Sequence, residues 1–204
     1  MYVTKLVPVT KAKYKVYLDD EFAFVLYKGE LSRYELQEGN EVSQEIVAII
    51  KKEVLEKRAK LRAMHILERA DRTEEELRTK LRQDLYPAEI VEAAMNYVKS
   101  FGYIGDQNYA CRYAGSKART KSRSEVKMLL KQKGISDEYI ENALESCYED
   151  IDEKEVIQRL VEKKHFNAEN ATEQEKKRMY DYLLRKGFRY EEVRQVIQVS
   201  SWNA

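Results

Sequence analysis

The chain has 204 residues, and its 37 Lys and Arg stand against 36 Asp and Glu, so 36% of it is charged while the sum is only +1. An ordinary soluble domain is roughly a quarter charged and would carry about 14 Gly and about 10 Pro; this chain has 7 and 2, with 43% apolar residues, which predicts a mostly helical protein with a packed core. No apolar run reaches the roughly 18 residues of a membrane span, Met1–Tyr17 lacks the apolar block of a signal peptide, and two cysteines make no disulfide framework, so membrane, secreted and disulfide-rich classes are excluded and a cytoplasmic location is expected.

Strands come first. Tyr14, Val16 and Leu18 alternate with polar residues, as do Phe22, Phe24 and Leu26, and Asp19-Asp20-Glu21 links the two runs. Period two around a short polar turn predicts a β-hairpin, with Tyr2–Val7 offering a third strand. Ser32 and Glu35 have the spacing of a capping box, so a helix start is expected there. After a turn at Gly39-Asn40, Ser43 to Arg69 contains neither Gly nor Pro and predicts one long helix, on the order of 40 Å.

From there the chain repeats. Thr73/Glu76, Ser122/Glu125 and Thr172/Glu175 are capping boxes spaced 49 and 50 residues apart. Each precedes an apolar pair at helical spacing: Leu77/Leu81, Val126/Leu130 and Met179/Leu183. Leu85, Ile135 and Phe188 follow, the last two after Gly134 and Gly187, which suit the left-handed position that ends a helix. A further helix then presents Ile90, Ala94, Tyr97 and Phe101; its counterparts are Ile140, Leu144, Cys147 and Ile151, then Val193, Ile197 and Ser200. Leu61, Ala110 and Leu160 mark the opening helix of each unit. Landmarks in register three times predict a mainly α tandem array of three three-helix repeats, about 50 residues each. The expected divisions are a β-hairpin module over residues 1–42, the long helix and first repeat over 43–105, and repeats over 106–151 and 152–204. The first repeat, with Asp84 directly before Leu85, is expected to be one residue short. The third carries about three extra residues, so its second helix is expected to begin a turn early. Arrays of this kind stack into an extended, curved surface that suits an elongated partner.

Net charge conceals a division. Residues 106–135 hold 8 basic and 2 acidic side chains (+6), and residues 136–204 hold 11 and 16 (−5). Gln107 to Ser124 contains no acid but includes Arg112, Lys117, Arg119, Lys121 and Arg123; Lys127 and Lys131 then share a helix face with Arg123. Such a row can displace counterions from phosphates. It can equally be a solvated face packed near the acidic helix that follows, with Glu138, Glu141, Glu145 and Glu149. A second basic set, Arg58, Arg62, Arg69 and Arg72, is a weaker candidate for the same binding; Arg58, Arg62 and Arg69 form one stripe, but Glu53, Glu56 and Glu68 interleave, so intrahelical ion pairing is the expected use.

Other chemistry is sparse. His65 and His165 have no second ligand at i+4, and no metal or cofactor is expected. Cys111 and Cys147 are expected to be buried thiols. Gly102-Tyr-Ile-Gly105 is the lone Gly-x-x-Gly and caps a helix before Asp106. Tyr103, Tyr109 and Tyr113 flank Arg112, and packing between repeats is their expected use. Trp202 falls near the chain end, where fraying is expected.

The ordered series Arg69-x-x-Arg72-Thr73-Glu74-x-x-Leu77-x-x-Lys80-Leu81, Gly102-Tyr103-Ile104-x-Asp106-x-x-Tyr109-Ala110, Ser124-Glu125-Val126-x-x-x-Leu130-x-x-Lys133-Gly134-Ile135 and Leu183-x-x-Lys186-Gly187-Phe188 resembles the bacterial RecX regulatory family. The helical match covers about residues 45–200, and the strand-rich start looks like the longer members. The resemblance implies a non-enzymatic monomer that binds the RecA recombinase and its nucleoprotein filament on single- or double-stranded DNA. It implies modulation of filament assembly, ATP hydrolysis and strand exchange in DNA repair, homologous recombination and the SOS response. No membrane and no small-molecule substrate enter that picture.

Overall fold

The computed structural model describes residues 1–197, and the chain divides into two compact units, Met1–Gly105 and Asp106–Ala204. Ser200 and Trp202 lie outside the described residues.

In the first unit β1 (Val3–Pro8), β2 (Lys13–Leu18) and β3 (Glu21–Tyr27) form an antiparallel sheet in the order β1-β2-β3. Leu18 pairs with Glu21, which leaves Asp19 and Asp20 as a two-residue turn at φ of 48° and 69°. Positive φ at both positions matches the twist of a tight hairpin. Val16, Leu18, Phe24 and Leu26 are buried as the alternation requires, but Phe22 is exposed. A bulge explains it. Val16 pairs with Phe24 while Tyr17 pairs with Phe22, so Ala23 is one residue too many and Phe22 lands edge-on to Tyr17 at 5.9 Å.

α1 (Lys28–Arg33) follows β3 without a break, and the Glu30 carboxylate accepts from the Tyr27 N–H at 2.7 Å. The helix start expected at Ser32 is therefore displaced. Ser32 sits in the last turn of α1, its hydroxyl donating to the Lys28 carbonyl at 3.3 Å, and Glu35 turns left-handed at φ 52°. Glu30 has already capped the helix one turn earlier. α2 (Gln44–Ile49), a π-helical segment Ile50–Glu56 and α3 (Lys57–Arg69) then run on as one helical stretch, opened by the Ser43 hydroxyl on the Ile46 N–H. The long helix is as expected, except that its middle is wound in wider turns. Ala59, Ala63 and Ile66 carry its buried face, whereas the landmark Leu61 is 68% exposed.

α4 (Glu74–Gln83) and α5 (Ala88–Ser100) complete the first repeat, with α5 packed on both α3 and α4. The core of α5 is Ile90, Val91, Ala94, Met95 and Val98; Phe101 lies past the helix end and is exposed. One continuous core runs from Val3 and Phe24 through Leu55 to Leu77 and Met95. The strand module thus packs on the first repeat.

In the second unit α6 (Asp106–Lys117), α7 (Arg123–Gln132) and α8 (Asp137–Tyr148) form the second repeat. α9 (Glu153–Lys163), α10 (Glu173–Arg185) and α11 (Tyr190–Ile197) form the third. In both, the last helix packs on the two before it. α10 has 13 residues against 10 in α7, so the extra turn falls where the spacing placed it.

The helix ends correct one expectation. The N–H of Tyr86 donates to the Leu81 carbonyl, as Ile135 does to Leu130 and Phe188 to Leu183, each at 3.3 Å. Leu85, at φ 65°, therefore occupies the position that Gly134 (81°) and Gly187 (83°) hold. The first repeat is not a residue short. Leucine stands where the others have glycine, at a backbone cost of about 1–2 kcal/mol, and Tyr86 is the counterpart of Ile135.

Candidate nucleic-acid interface

The basic row runs from α6 through a five-residue link and along α7. Arg112 and Arg119 are exposed, while Lys117, Lys121, Arg123 and Lys127 are half-buried. Lys117 closes α6, with its Nζ 6.0 Å from the Tyr113 ring. Ala118 is buried and pins the link to the core. The rest of the row lies against carboxylates. Lys121 pairs with Glu125, Arg123 and Lys127 converge on Glu141, and Lys131 meets Asp137 at 2.7 Å.

These pairs leave their mark on the acids. The hydrogen bond from Lys127, followed by its charge and that of Arg123, holds Glu141 below the usual carboxylate range. Lys131 does the same for Asp137. Burial alone would raise Glu125, but the hydrogen bonds from Lys121 and Lys186 outweigh it and keep it low. Of the four acids expected near the row, Glu141 alone is tied to it; Glu138, Glu145 and Glu149 are exposed. Asp137, which spacing did not single out, supplies the other contact from α8.

A helix N-terminus would add a further anion site, but that of α7 is occupied. The Ser122 hydroxyl accepts from the Glu125 N–H at 3.0 Å and donates to the Lys186 carbonyl at 2.6 Å. The Arg123 N–H donates to Glu153 at 2.9 Å. The second and third repeats are joined here. This also explains why Ser122 makes only half of a capping box, whereas Thr73 and Thr172 make both halves: the Glu125 carboxylate is spent on Lys121 and Lys186. Glu153 and Lys186 lie 30 and 61 or more residues from their partners, so no local spacing could have found them.

The three-helix units match, in chain order, models of the first, second and third three-helix domains of RecX, over residues 59–97, 106–144 and 152–197. A regulatory protein RecX of Caldanaerobacter subterraneus subsp. tengcongensis is 30% identical over 202 residues, which is 98% of this chain and 100% of that one. The chain belongs to the RecX family. A RecX of Clostridium beijerinckii is 28% identical over 92% of this chain and 89% of its own. A crystal structure of a regulatory protein RecX superposes with a TM-score of 0.59 at 24% identity, covering 97% of this chain and 98% of that one.

The second basic set of this RecX-family chain does share one face of α3 through Arg58, Arg62 and Arg69, but its first two members are tied to other elements. Arg58 pairs with Glu30, donates to the Val25 carbonyl at 3.3 Å and lies 4.7 Å from the Tyr27 ring centre. Arg62 Nε donates to Asp84 at 2.7 Å. Arg69 is exposed at the end of α3, and Arg72 is half-buried in the following link. Intrahelical pairing does occur, but Glu53 and Glu56 take Lys57 and Lys60, and Glu68 approaches His65 at 3.7 Å. Arg58 and Arg62 cross to other elements because their side chains face the sheet and the α4–α5 link rather than solvent.

The tyrosines also differ from expectation. Tyr109 is buried in the core of its own repeat and stacks on Tyr113 at 6.0 Å, with Lys133 5.5 Å and 6.0 Å from the two ring centres. Tyr103 is exposed and stacks on Phe101 at 5.6 Å. Cys111 is exposed rather than buried. Cys147 is half-buried with its Sγ 3.6 Å from the Cys111 carbonyl, and burial pushes its thiol pKa up. His165 ends α9 in the left-handed position at φ 53°. Among the described residues no helix is long and apolar enough to cross a membrane.

Proposed function

We propose that this chain binds the RecA recombinase and its nucleoprotein filament on DNA, and restrains filament assembly, ATP hydrolysis and strand exchange without chemistry of its own. The observation that carries the reading is membership of the RecX regulatory family along the whole chain, with the three helical domains in order. The DNA or filament contact is assigned to Arg112, Lys117, Arg119, Lys121, Arg123, Lys127 and Lys131. Their chemistry supports it. The side chains of Arg123, Lys127 and Lys131 are 42–49% exposed in their ion pairs, and exposed pairs contribute only about 0–1 kcal/mol. A phosphate that releases counterions can compete with Glu141 and Asp137 on those terms. Arg58 and Arg62, tied to Glu30 and Asp84 within the first unit, are the weaker candidates.

Steady-state ATP turnover by RecA on single-stranded DNA, with and without this protein, tests the reading. Turnover should fall as the protein is added, and the protein should bind RecA directly. Unchanged turnover together with salt-sensitive DNA binding would instead identify a helical-repeat DNA-binding module indifferent to RecA, and unchanged turnover with no DNA binding a protein-only adaptor.

A further inference from the structure

The first unit contains a recess of about 450 Å³ between the sheet, α3 and the α4–α5 link. That volume lies within the range of small-ligand sites. Three hydrogen-bond donors with unspent capacity line it. Lys13 has no carboxylate partner among the described residues; its contact is the Tyr27 ring, 5.1 Å from its Nζ. Arg62 spends only Nε on Asp84, so both of its Nη groups remain. The Tyr86 hydroxyl makes no hydrogen bond to the described residues, and burial pushes its pKa up to about 12, so it stays a neutral donor. Glu30 and Asp84 answer two of the three permanent cations here, Arg58 and Arg62; the charge on Lys13 is left over.

Val25, Leu55, Leu61 and Leu85 add apolar side chains to the lining. Leu85 is the informative member. It adopts the left-handed conformation that glycine takes in the other two repeats, and strain retained in one repeat out of three points to a use for the side chain. Here Leu85, next to Tyr86 in the chain, lines the recess. Leu61 adds an apolar surface that the protein itself leaves 68% exposed.

We propose that this recess is a binding site for a phosphate monoester carried on an apolar or aromatic body, that is, for a nucleoside monophosphate. Lys13, Arg62 and Tyr86 receive the phosphate, and Leu61 and Leu85 receive the body. Donors approaching from three separate elements suit a tetrahedral oxyanion better than a planar carboxylate, which a single guanidinium fork satisfies. The same chemistry is offered by a free nucleotide and by the 5′-phosphorylated end of a DNA strand. The site is distinct from the α6–α7 row and needs no RecA, so its failure and that of the function proposed above are separable.

Calorimetric titration of the full chain with dTMP, thymidine, and hexathymidylate carrying either a 5′-phosphate or a 5′-hydroxyl tests the proposal. dTMP should bind and thymidine should not. Lys13→Ala and Arg62→Ala should each weaken dTMP about tenfold or more, the loss of one charged hydrogen bond, and Tyr86→Phe should weaken it several-fold. A 5′-phosphorylated strand that binds tighter than dTMP, with the advantage abolished by Lys13→Ala, assigns the strand end; equal affinities assign the free nucleotide. Arg62→Ala orphans Asp84 and can unfold the unit, whereas Tyr86→Phe removes only a hydroxyl and Lys13→Ala breaks no ion pair, so these two keep the test open. No binding of dTMP or the phosphorylated strand at millimolar concentration overturns the proposal. So does dTMP binding that Lys13→Ala and Tyr86→Phe leave intact, or a recess that takes a polyglutamate peptide and not dTMP.

Discussion

Replacing Gly187 with alanine tests the joint between the second and third repeats. Gly187 ends α10 at φ +83°, and a Cβ built there would lie 2.9 Å from Ser124 Cβ, 3.0 Å from Ser122 Oγ and 3.5 Å from the Glu125 nitrogen. None of these is the loose end of a long side chain. All belong to the first turn of α7, which is held by the Ser122 bond to Lys186 and the Glu153 bond to the Arg123 N–H. Left-handed backbone costs a non-glycine residue about 1–2 kcal/mol, and alanine recovers about 0.4–1 kcal/mol by stiffening the unfolded chain. Relieving the clash means parting the joint, and Ser122 is fully buried, so breaking its bond adds about 1–3 kcal/mol. The total is roughly 1–5 kcal/mol.

Gly102 provides the control. It ends α5 at φ +67° with nothing within 4 Å of its added Cβ, so Gly102→Ala carries backbone strain alone, about 1 kcal/mol. Urea denaturation followed by far-UV circular dichroism gives both losses, and hydrogen exchange localises them. Gly187→Ala should open the start of α7 together with the end of α10. A Gly187→Ala loss no larger than that of Gly102→Ala would refute the clash argument.

Burial, and then the neighbouring Glu153 carboxyl, raise the pKa of Glu192. A raised carboxyl contributes stability that is complete below its unfolded pKa and lost as pH climbs through the folded value; Glu192→Gln should therefore raise the thermal midpoint at neutral pH, by less than about 1 kcal/mol given partial exposure, and make no difference near pH 4. Equal midpoints at neutral pH count against it. Charge reversal at Arg119, Lys121 and Arg123 should weaken binding of single-stranded DNA and flatten its dependence on log salt by about 0.7 per lost contact; an unchanged affinity and slope would remove the α6–α7 row from the interface. Cys111 should react first with a thiol reagent, since it is exposed while Cys147 is half-buried with a raised pKa, and Cys111→Ser should abolish the fast phase in a stopped-flow trace.

Most of the fold was legible because its signals are local. A capping box spans four residues, and a buried helical stripe repeats every three or four, so Thr73, Thr172 and the apolar pairs such as Leu77/Leu81 declare themselves in any window of the chain. Where a local signal depends on what precedes it, the reading slipped. Ser32 and Glu35 have capping spacing, yet Glu30 had already opened the helix. Leu85 escaped for another reason: glycine marks the left-handed helix end by residue type, while the structure marks it by the bond from Tyr86 to Leu81, which leucine also permits. Phe22 broke its alternation because a single extra residue, Ala23, reverses the faces of a strand. Within the second repeat the acidic helix did declare itself as a partner for the basic row, through Glu141, but contacts between repeats were not legible at all. Nothing in the spacing connects Lys186 with Glu125 or Glu153 with Arg123.

Those distant contacts change what the +6 of residues 106–135 means. Along α7 the basic side chains already face acids, so Arg123, Lys127 and Lys131 offer a polyanion a substitution of partners rather than open charge. At the end of α6 the situation differs. Arg119 is exposed, and among the described residues neither it nor Lys117 has a carboxylate partner; Lys117 touches only the Tyr113 ring. Attraction over a Debye length depends on net local charge, and that is greatest where no acid answers the cation. On the proposed reading, a phosphate is therefore first drawn to Lys117 and Arg119. Contacts with α7 follow, because each requires a lysine or arginine to leave Glu141 or Asp137. The weakness of exposed ion pairs makes that exchange inexpensive, and it makes the carboxylates of α8 the gate on how far along α7 the strand is held.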